Sequence, residues 1–182
     1  MAKDYCICLD IGGTKVLGAI FDDKEKPVYR LKKKTKSGGD SSENIEQVII
    51  SVVREMINES GIKKSDIRAI AAGAPGVINQ AEGVVLFSPN LPWRDYDIRK
   101  PIEKEFGVPF HIGNDVNVGV LGEYKYGAVK GYKNVVGFFV GTALVRAPAR
   151  ACCECCHQKA PQWEHGTEGT AFCSPSRCWR VA

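Results

Sequence analysis

The chain has 182 residues, of which 44% are hydrophobic and 25% charged, and its net charge is +4. These proportions belong to a globular protein of one domain, or one domain and a fragment. No apolar run is long enough to cross a bilayer, and the charge is too small to argue for nucleic acid. The first strand begins almost at the N-terminus and leaves no room for a signal peptide, so a cytoplasmic location is expected.

Residues 4–11, 15–21 and 27–34 read as three strands joined by short turns, with Asp22-Asp23-Lys24-Glu25-Lys26 forming a charged hairpin loop. Cys6 and Cys8 lie in the first strand, where free thiols pack as small hydrophobes. The first turn reads Asp10-Ile11-Gly12-Gly13-Thr14-Lys15. A strand thus delivers a carboxylate, two glycines, a hydroxyl and an ammonium in quick succession. Glycines allow close backbone approach and positive φ, and successive amides in such a turn form a concave anion site. A strand-end carboxylate suits a hydrated metal ion, and Thr14 and Lys15 suit phosphate oxygens. A Gly-Gly hairpin beside a solvated Asp and Lys is the plainer alternative. Lys32-Lys33-Lys34 is the one basic run, read as a solvated strand end or as a phosphate-steering group.

Ile45, Val48, Ile49, Val52, Val53, Met56 and Ile57 recur at three- and four-residue steps and predict an amphipathic helix. Asp40 and Glu43 have capping-box spacing, and Gly61 suits the C-terminal stop. Ile67 to Ala72 predicts a buried strand that runs into Gly73-Ala74-Pro75-Gly76. Residues 74–97 read as an irregular excursion with one short strand at Val84-Val85-Leu86. A helix follows from Asp97 to Gly107, then a strand from Val108 to Ile112, a helix to about Tyr126, and a strand from Val135 to Val140. A meander followed by β-α alternation implies a mixed sheet with helices on its faces. In such sheets ligands gather at strand C-termini, where Asp10, Gly73 and Asp115 all fall.

Asn114-Asp115-Val116-Asn117 opens a helix after a buried strand. An ordinary N-cap explains one of these polar residues, not three. An Asp held there could take a proton from a substrate hydroxyl that the Asn side chains orient. In Ser88-Pro89-Asn90-Leu91-Pro92-Trp93, Asn90 suits a sugar hydroxyl or a plain surface loop, while Trp93 reads as a core plug.

Asp10-Ile-Gly-Gly-Thr-Lys15, Gly73-Ala-Pro-Gly76, Pro89-Asn90-Leu91 and Asn114-Asp-Val-Asn117, in this order, resemble the ROK family of bacterial sugar kinases and repressors, and within it the glucokinases. The resemblance covers about residues 4–142. It implies an actin-like, ribonuclease-H-like α/β fold with a mixed sheet, and a second domain largely missing from this chain. It implies transfer of the γ-phosphoryl of ATP to a hexose, with Mg²⁺. By resemblance Asp115 is the catalytic base, and Gly76, Val77, Asn90 and Asn114 contact the sugar. Gly12, Gly13, Thr14, Lys15, Gly141 and Thr142 match phosphate segments, and Asp10 matches the carboxylate that holds the metal through water. Family repressors carry an extra N-terminal helix-turn-helix, which is not expected here, and neither is a nucleic-acid or membrane partner. The resemblance leaves a homodimer open for the full-length family and does not extend it to this chain.

The domain reading is 1–130 for the first domain, 131–142 for the start of the second, and 143–182 for a Cys-rich, irregular tail. The family continues past Gly141-Thr142 with a glycine-rich phosphate loop, downstream His and Glu sugar ligands and a Cys-rich zinc motif. This chain instead continues through Cys152-Cys153-Glu154-Cys155-Cys156-His157, with no zinc-finger spacing. A reading-frame shift near codon 142, a truncated paralogue and a metal-binding appendage each account for that change. On any of them, little or no kinase activity is expected, with apolar surface left exposed.

Overall fold

The computed structural model describes residues 4–34, 41–130, 132, 134–140 and 144–150. Two compact units are present, divided between residues 115 and 116. The sequence reading draws that boundary near 130.

The first unit is built on a five-stranded sheet. β1 (Tyr5–Ile11), β2 (Lys15–Phe21) and β3 (Pro27–Lys34) form an antiparallel meander. β4 (Ile67–Ala74) then pairs parallel with β1, and a further strand pairs parallel with β4. That further strand is the eighth in the chain, β8 (Phe110–Asn114), and the order is β3-β2-β1-β4-β8.

α1 (Ser42–Ser60) covers one face of the sheet. Ile49, Val52, Val53 and Met56 are fully buried on its inner stripe. Burial of each such side chain contributes about 1.5–3 kcal/mol. Gly18 of β2 leaves room for the helix: a Cβ there would stand 2.3 Å from the Met56 sulfur and 3.3 Å from a Leu9 methyl. Lys33 of β3 bridges to Glu55 at 2.6 Å, and the Tyr29 hydroxyl donates to Glu59. The N-cap is Ser41 rather than Asp40, since the Ser41 hydroxyl accepts the Asn44 N–H at 3.2 Å. Glu43 therefore sits in the first turn, where its charge suits the helix dipole. Asp40 lies outside the described residues. Gly61 terminates the helix at φ 70°, as its position predicts.

Residues 74–97 are more ordered than their sequence suggests. β5 (Val77–Asn79), β6 (Val84–Phe87) and β7 (Arg94–Asp97) form an antiparallel three-stranded sheet. β5 and β7 are too short and too polar to show a two-residue period. α2 (Arg99–Phe106) starts two residues after Asp97, whose carboxylate still caps it by accepting the Lys100 N–H at 3.1 Å. Arg99 donates to the carbonyls of Gln80 and Ala81, both at 2.7 Å, and to that of Phe110 at 3.2 Å. It thus ties the β5–β6 turn to the start of β8. β8 begins two residues later than its apolar run suggests, and carries on to Asn114.

Trp93 is 1% exposed and stacks on Tyr96, with ring centroids 6.1 Å apart, so it is the core plug expected. Burial pushes the Cys8 thiol up to about 12 and raises Cys6 as well, so both remain protonated packing groups at neutral pH.

The second unit holds most of α3 (Asp115–Tyr126) together with β9 (Asn134–Val140) and β10 (Leu144–Arg150). Val116, Val120 and Val135 form its small apolar cluster. Residues 144–150 fall in the segment expected to be irregular, but they pair antiparallel with β9, Leu144 opposite Val140. Pro148 and the lack of alternation hide this strand in the sequence. The six cysteines from Cys152 onward lie outside the described residues. Among the described residues no helix is long and apolar enough to cross a membrane, and no cluster of three potential metal ligands occurs.

Replacement of Met56 by Ala should lower unfolding stability by about 2–5 kcal/mol, because it empties a fully buried site between α1 and Gly18. Urea denaturation followed by circular dichroism measures the change.

Candidate functional site

β1, β4 and β8 run parallel, so their carboxyl ends share one edge. Asp10 pairs with Gly73, Gly73 pairs with Gly113, and Ala74 pairs with Asn114. The three strand ends singled out in the sequence therefore meet. Asp115 follows directly on Asn114 and opens α3. Gly73 lies against it, since a Cβ at that position would stand in van der Waals contact with the Asp115 Cα at 3.4 Å.

The carboxylates of Asp10 and Asp115 lie close enough to repel. Burial raises the Asp10 pKa above its usual value, the Asp115 charge raises it further, and the Lys15 ammonium partly offsets both. A cation bound beside Asp10 would relieve this strain, so the donor chemistry fits a divalent metal such as Mg²⁺.

Gly12 and Gly13 connect β1 to β2, and the Gly12 N–H donates to the Lys15 carbonyl at 2.9 Å. The Gly-Gly hairpin that the sequence offered as the plainer reading is thus present. Neither glycine adopts a left-handed φ. Their value is close approach instead. A Cβ on Gly13 would stand 2.8 Å from the Asn90 carbonyl oxygen, so the turn rests directly against the 88–93 loop. Thr14 and Lys15 are exposed beside it.

The same loop is fixed at its base. The Ser88 N–H donates to the Trp93 carbonyl at 3.1 Å, and the Ser42 hydroxyl at the start of α1 donates to the Pro92 carbonyl. Gly76 sits at φ 127°, and a Cβ there would meet the Phe87 carbonyl oxygen at 2.1 Å. Backbone conformation and space both demand glycine at this point. The Asn114 side-chain amide donates to the Gly76 carbonyl at 3.0 Å, which locks the strand end to the β4–β5 connection. Asn90 is exposed at the loop tip, and Val77 is 60% exposed next to Gly76.

The structure thus gathers Asp10, Gly12, Gly13, Thr14, Lys15, Gly76, Val77, Asn90, Asn114 and Asp115 around one sheet edge. Gly141 and Thr142 lie outside the described residues. Ser42, Tyr96 and Glu46 are supports that the sequence did not reveal: Tyr96 stacks on Trp93 and its hydroxyl donates to Glu46 at 2.6 Å. These contacts join segments about fifty residues apart, and no local pattern announces them.

A mixed sheet of this order, with a phosphate-type turn after its first strand, defines the actin-like ATPase class of fold. The family model for the ROK family matches residues 6–144, and the chain belongs to that family. The glucokinase of Streptomyces coelicolor is 33% identical over 138 residues, which is 76% of this chain and 41% of that protein. The xylose repressor of Bacillus subtilis is 26% identical over 140 residues, or 77% of this chain and 36% of the repressor. Among solved structures, the ROK family glucokinase of Streptomyces griseus in complex with glucose and AMPPNP superposes with a TM-score of 0.68 at 29% identity, over 79% of this chain and 44% of that one. The chain spans less than half the length of these relatives.

Two outcomes test this geometry. Because the folded state raises the Asp10 pKa, the ionised carboxylate destabilises the fold above that pKa, and the penalty fades as pH falls towards the free value of 3.8. Asp10→Asn should therefore raise the urea midpoint at pH 7 and leave it unchanged at pH 3. Gly13→Ala should push the Asn90 loop away, at a cost of about 1–3 kcal/mol in stability, with a shift in the Asn90 amide resonances that an Ala at Gly122, where a Cβ meets open space, does not produce.

Proposed function

We propose that this chain carries the sugar-binding and proton-accepting half of an ATP-dependent hexose kinase, with glucose as the leading substrate. The observation that carries the reading is the shared edge where Asp10 feels the Asp115 charge and the Gly12–Gly13 turn rests against the Asn90 loop. Asp115 takes the proton from the sugar hydroxyl as that oxygen attacks the γ-phosphorus. Asn90 and Asn114 orient the sugar by hydrogen bonds, and the backbone at Gly76 and Val77 forms its floor. The Gly13 amide, the Thr14 hydroxyl and the Lys15 ammonium hold phosphate oxygens, while Gly12, whose N–H is held by the Lys15 carbonyl, allows the close approach. Asp10 holds Mg²⁺ through water, and that ion supplies charge neutralisation for the phosphates. The glucose and AMPPNP complex of the Streptomyces griseus relative supports both the sugar and the nucleotide in this reading. A cytoplasmic location accords with it.

Because the chain spans less than half of its relatives, turnover by this chain alone is expected to be slow. The similarity to the Bacillus subtilis xylose repressor favours a second reading, a sugar-binding regulatory protein on the same scaffold. ADP release coupled to NADH oxidation, run over a panel of hexoses, separates the two. Glucose-dependent ADP release supports the kinase. Sugar binding by calorimetry without any release of ADP supports the regulator.

On the kinase reading, Asp115→Asn should lower kcat by about 10²–10⁴-fold. Glucose affinity, measured by calorimetry, should stay within a few-fold of the parent. An equal loss in both would make Asp115 a binding group and not the base.

A further inference from the structure

The loop at residues 88–93 carries Asn90 at its exposed tip. Two polar atoms buried at its root have no hydrogen-bond partner among the described residues, the Ser88 hydroxyl and the Trp93 indole nitrogen. No side-chain hydrogen bond of Ser88 or Trp93 therefore orients the root. The Trp93 ring is oriented by Tyr96 instead, whose ring lies parallel to it within 2° at a centroid separation of 6.1 Å. An offset stack sets a ring's plane only if the partner ring is itself held. Glu46 of α1 holds it, accepting the Tyr96 hydroxyl at 2.6 Å. Burial and this bond raise the Tyr96 pKa, so the hydroxyl stays a donor at neutral pH. Ser42 lies one helical turn before Glu46 on the same side of α1, and its hydroxyl donates to the Pro92 carbonyl. The start of α1 thus grips the loop twice, through the backbone at Pro92 and through the Tyr96–Trp93 stack.

The stack is not a by-product of a regular strand. Residues three apart on a strand point to opposite faces, which would separate Trp93 from Tyr96. Asp95 lies between them at φ 47°, a left-handed conformation that side chains disfavour. This step breaks the alternation and brings the rings together. Strain kept beside a binding loop points to a positional demand. Closing the core does not account for it, since Leu91 and Trp93 already fill the space under the loop. The demand lies at the tip. The Asn90 carbonyl oxygen would stand 2.8 Å from a Cβ on Gly13, so a small tilt of the loop alters its seating on the 12–13 turn.

We propose that Glu46 and Tyr96 are positioning residues for the hexose: Glu46 fixes the Tyr96 ring, that ring fixes Trp93, and Trp93 sets the height at which Asn90 meets the sugar. The inference rests on the sugar-binding role proposed for Asn90, and adds two residues that act through it.

Calorimetric titration of glucose into the intact 182-residue chain is the test. Tyr96→Phe and Glu46→Ala should each weaken binding about tenfold, and together no more than either alone, because the two act as one unit. Glu46→Gln keeps an oxygen for the Tyr96 hydroxyl and should stay within about twofold of the parent. With Asn90→Ala already present, Tyr96→Phe should cost less than about twofold. The proposal is overturned if Tyr96→Phe leaves glucose affinity unchanged, or if Glu46→Gln is as damaging as Glu46→Ala. It is overturned too if Tyr96→Phe costs as much in the Asn90→Ala chain as in the parent, the mark of a general support of the fold. Asn90→Ala without effect on a parent that binds glucose overturns the inference and the role of Asn90, and leaves the kinase reading to its other residues. A parent that does not bind glucose overturns both the inference and the sugar reading.

Discussion

Parallel pairing of β1, β4 and β8 is the constraint on which the rest of this structure depends. It sends three carboxyl ends to one edge and aligns Asp10, Gly73 and Gly113 in a single row. What fixes the row is the packing on the far side of the sheet. Ile7, Leu9 and Ile11 of β1 are buried in the same core as the inner stripe of α1. Side chains alternate along a strand, so a slip of one residue would drive Asp10 into that core and expose the aliphatic residues. The hydrophobic energy that seats α1 therefore also determines where the Asp10 carboxylate points. Gly18 makes this possible, because it lets Met56 descend onto β2 beside Leu9.

Around that edge the loops are held by close backbone approach as much as by hydrogen bonds. Gly13 abuts Asn90, Gly76 abuts Phe87 and Ser88, and Gly73 abuts Asp115. Each contact leaves no room for a Cβ without movement, or allows one only in firm van der Waals contact. The Asn90 loop could not hold its place with contacts at its tip alone. Trp93 anchors its far end in the core, and the Ser88–Trp93 and Ser42–Pro92 bonds close its base. An exposed Asn is thus carried on a loop whose root is rigid, the arrangement a directional hydrogen-bonding group requires.

Long periodic elements were legible in the sequence. The α1 stripe, the three meander strands and the glycine stops at Gly61 and Gly107 follow from apolar spacing and helix-end chemistry. The placement of Asp115 at a helix start was legible because Asn and Asp favour that position after a buried strand. β5, β7 and β10 were not, since three or four polar residues, or a strand broken by proline, carry no period and take their conformation from their partners. The glycines at 12 and 13 were legible by type but not by reason. Sequence suggested unusual φ, whereas the structure uses them for proximity to Lys15 and Asn90. That distinction depends on a loop far along the chain, and no window of local sequence contains it.

The charges of the strand-end face follow one logic. Burial and the Asp115 charge both act against the ionised form of Asp10, and Lys15 partly offsets them. A protein selected for stability alone would lose that carboxylate. A cation beside the acidic pair would relieve it. The opposite face shows no such tension, since Lys33 is matched by Glu55 and the remainder is aliphatic packing. Unfavourable charge at one edge of an otherwise well-matched sheet is the physical mark that separates the candidate site from the scaffold.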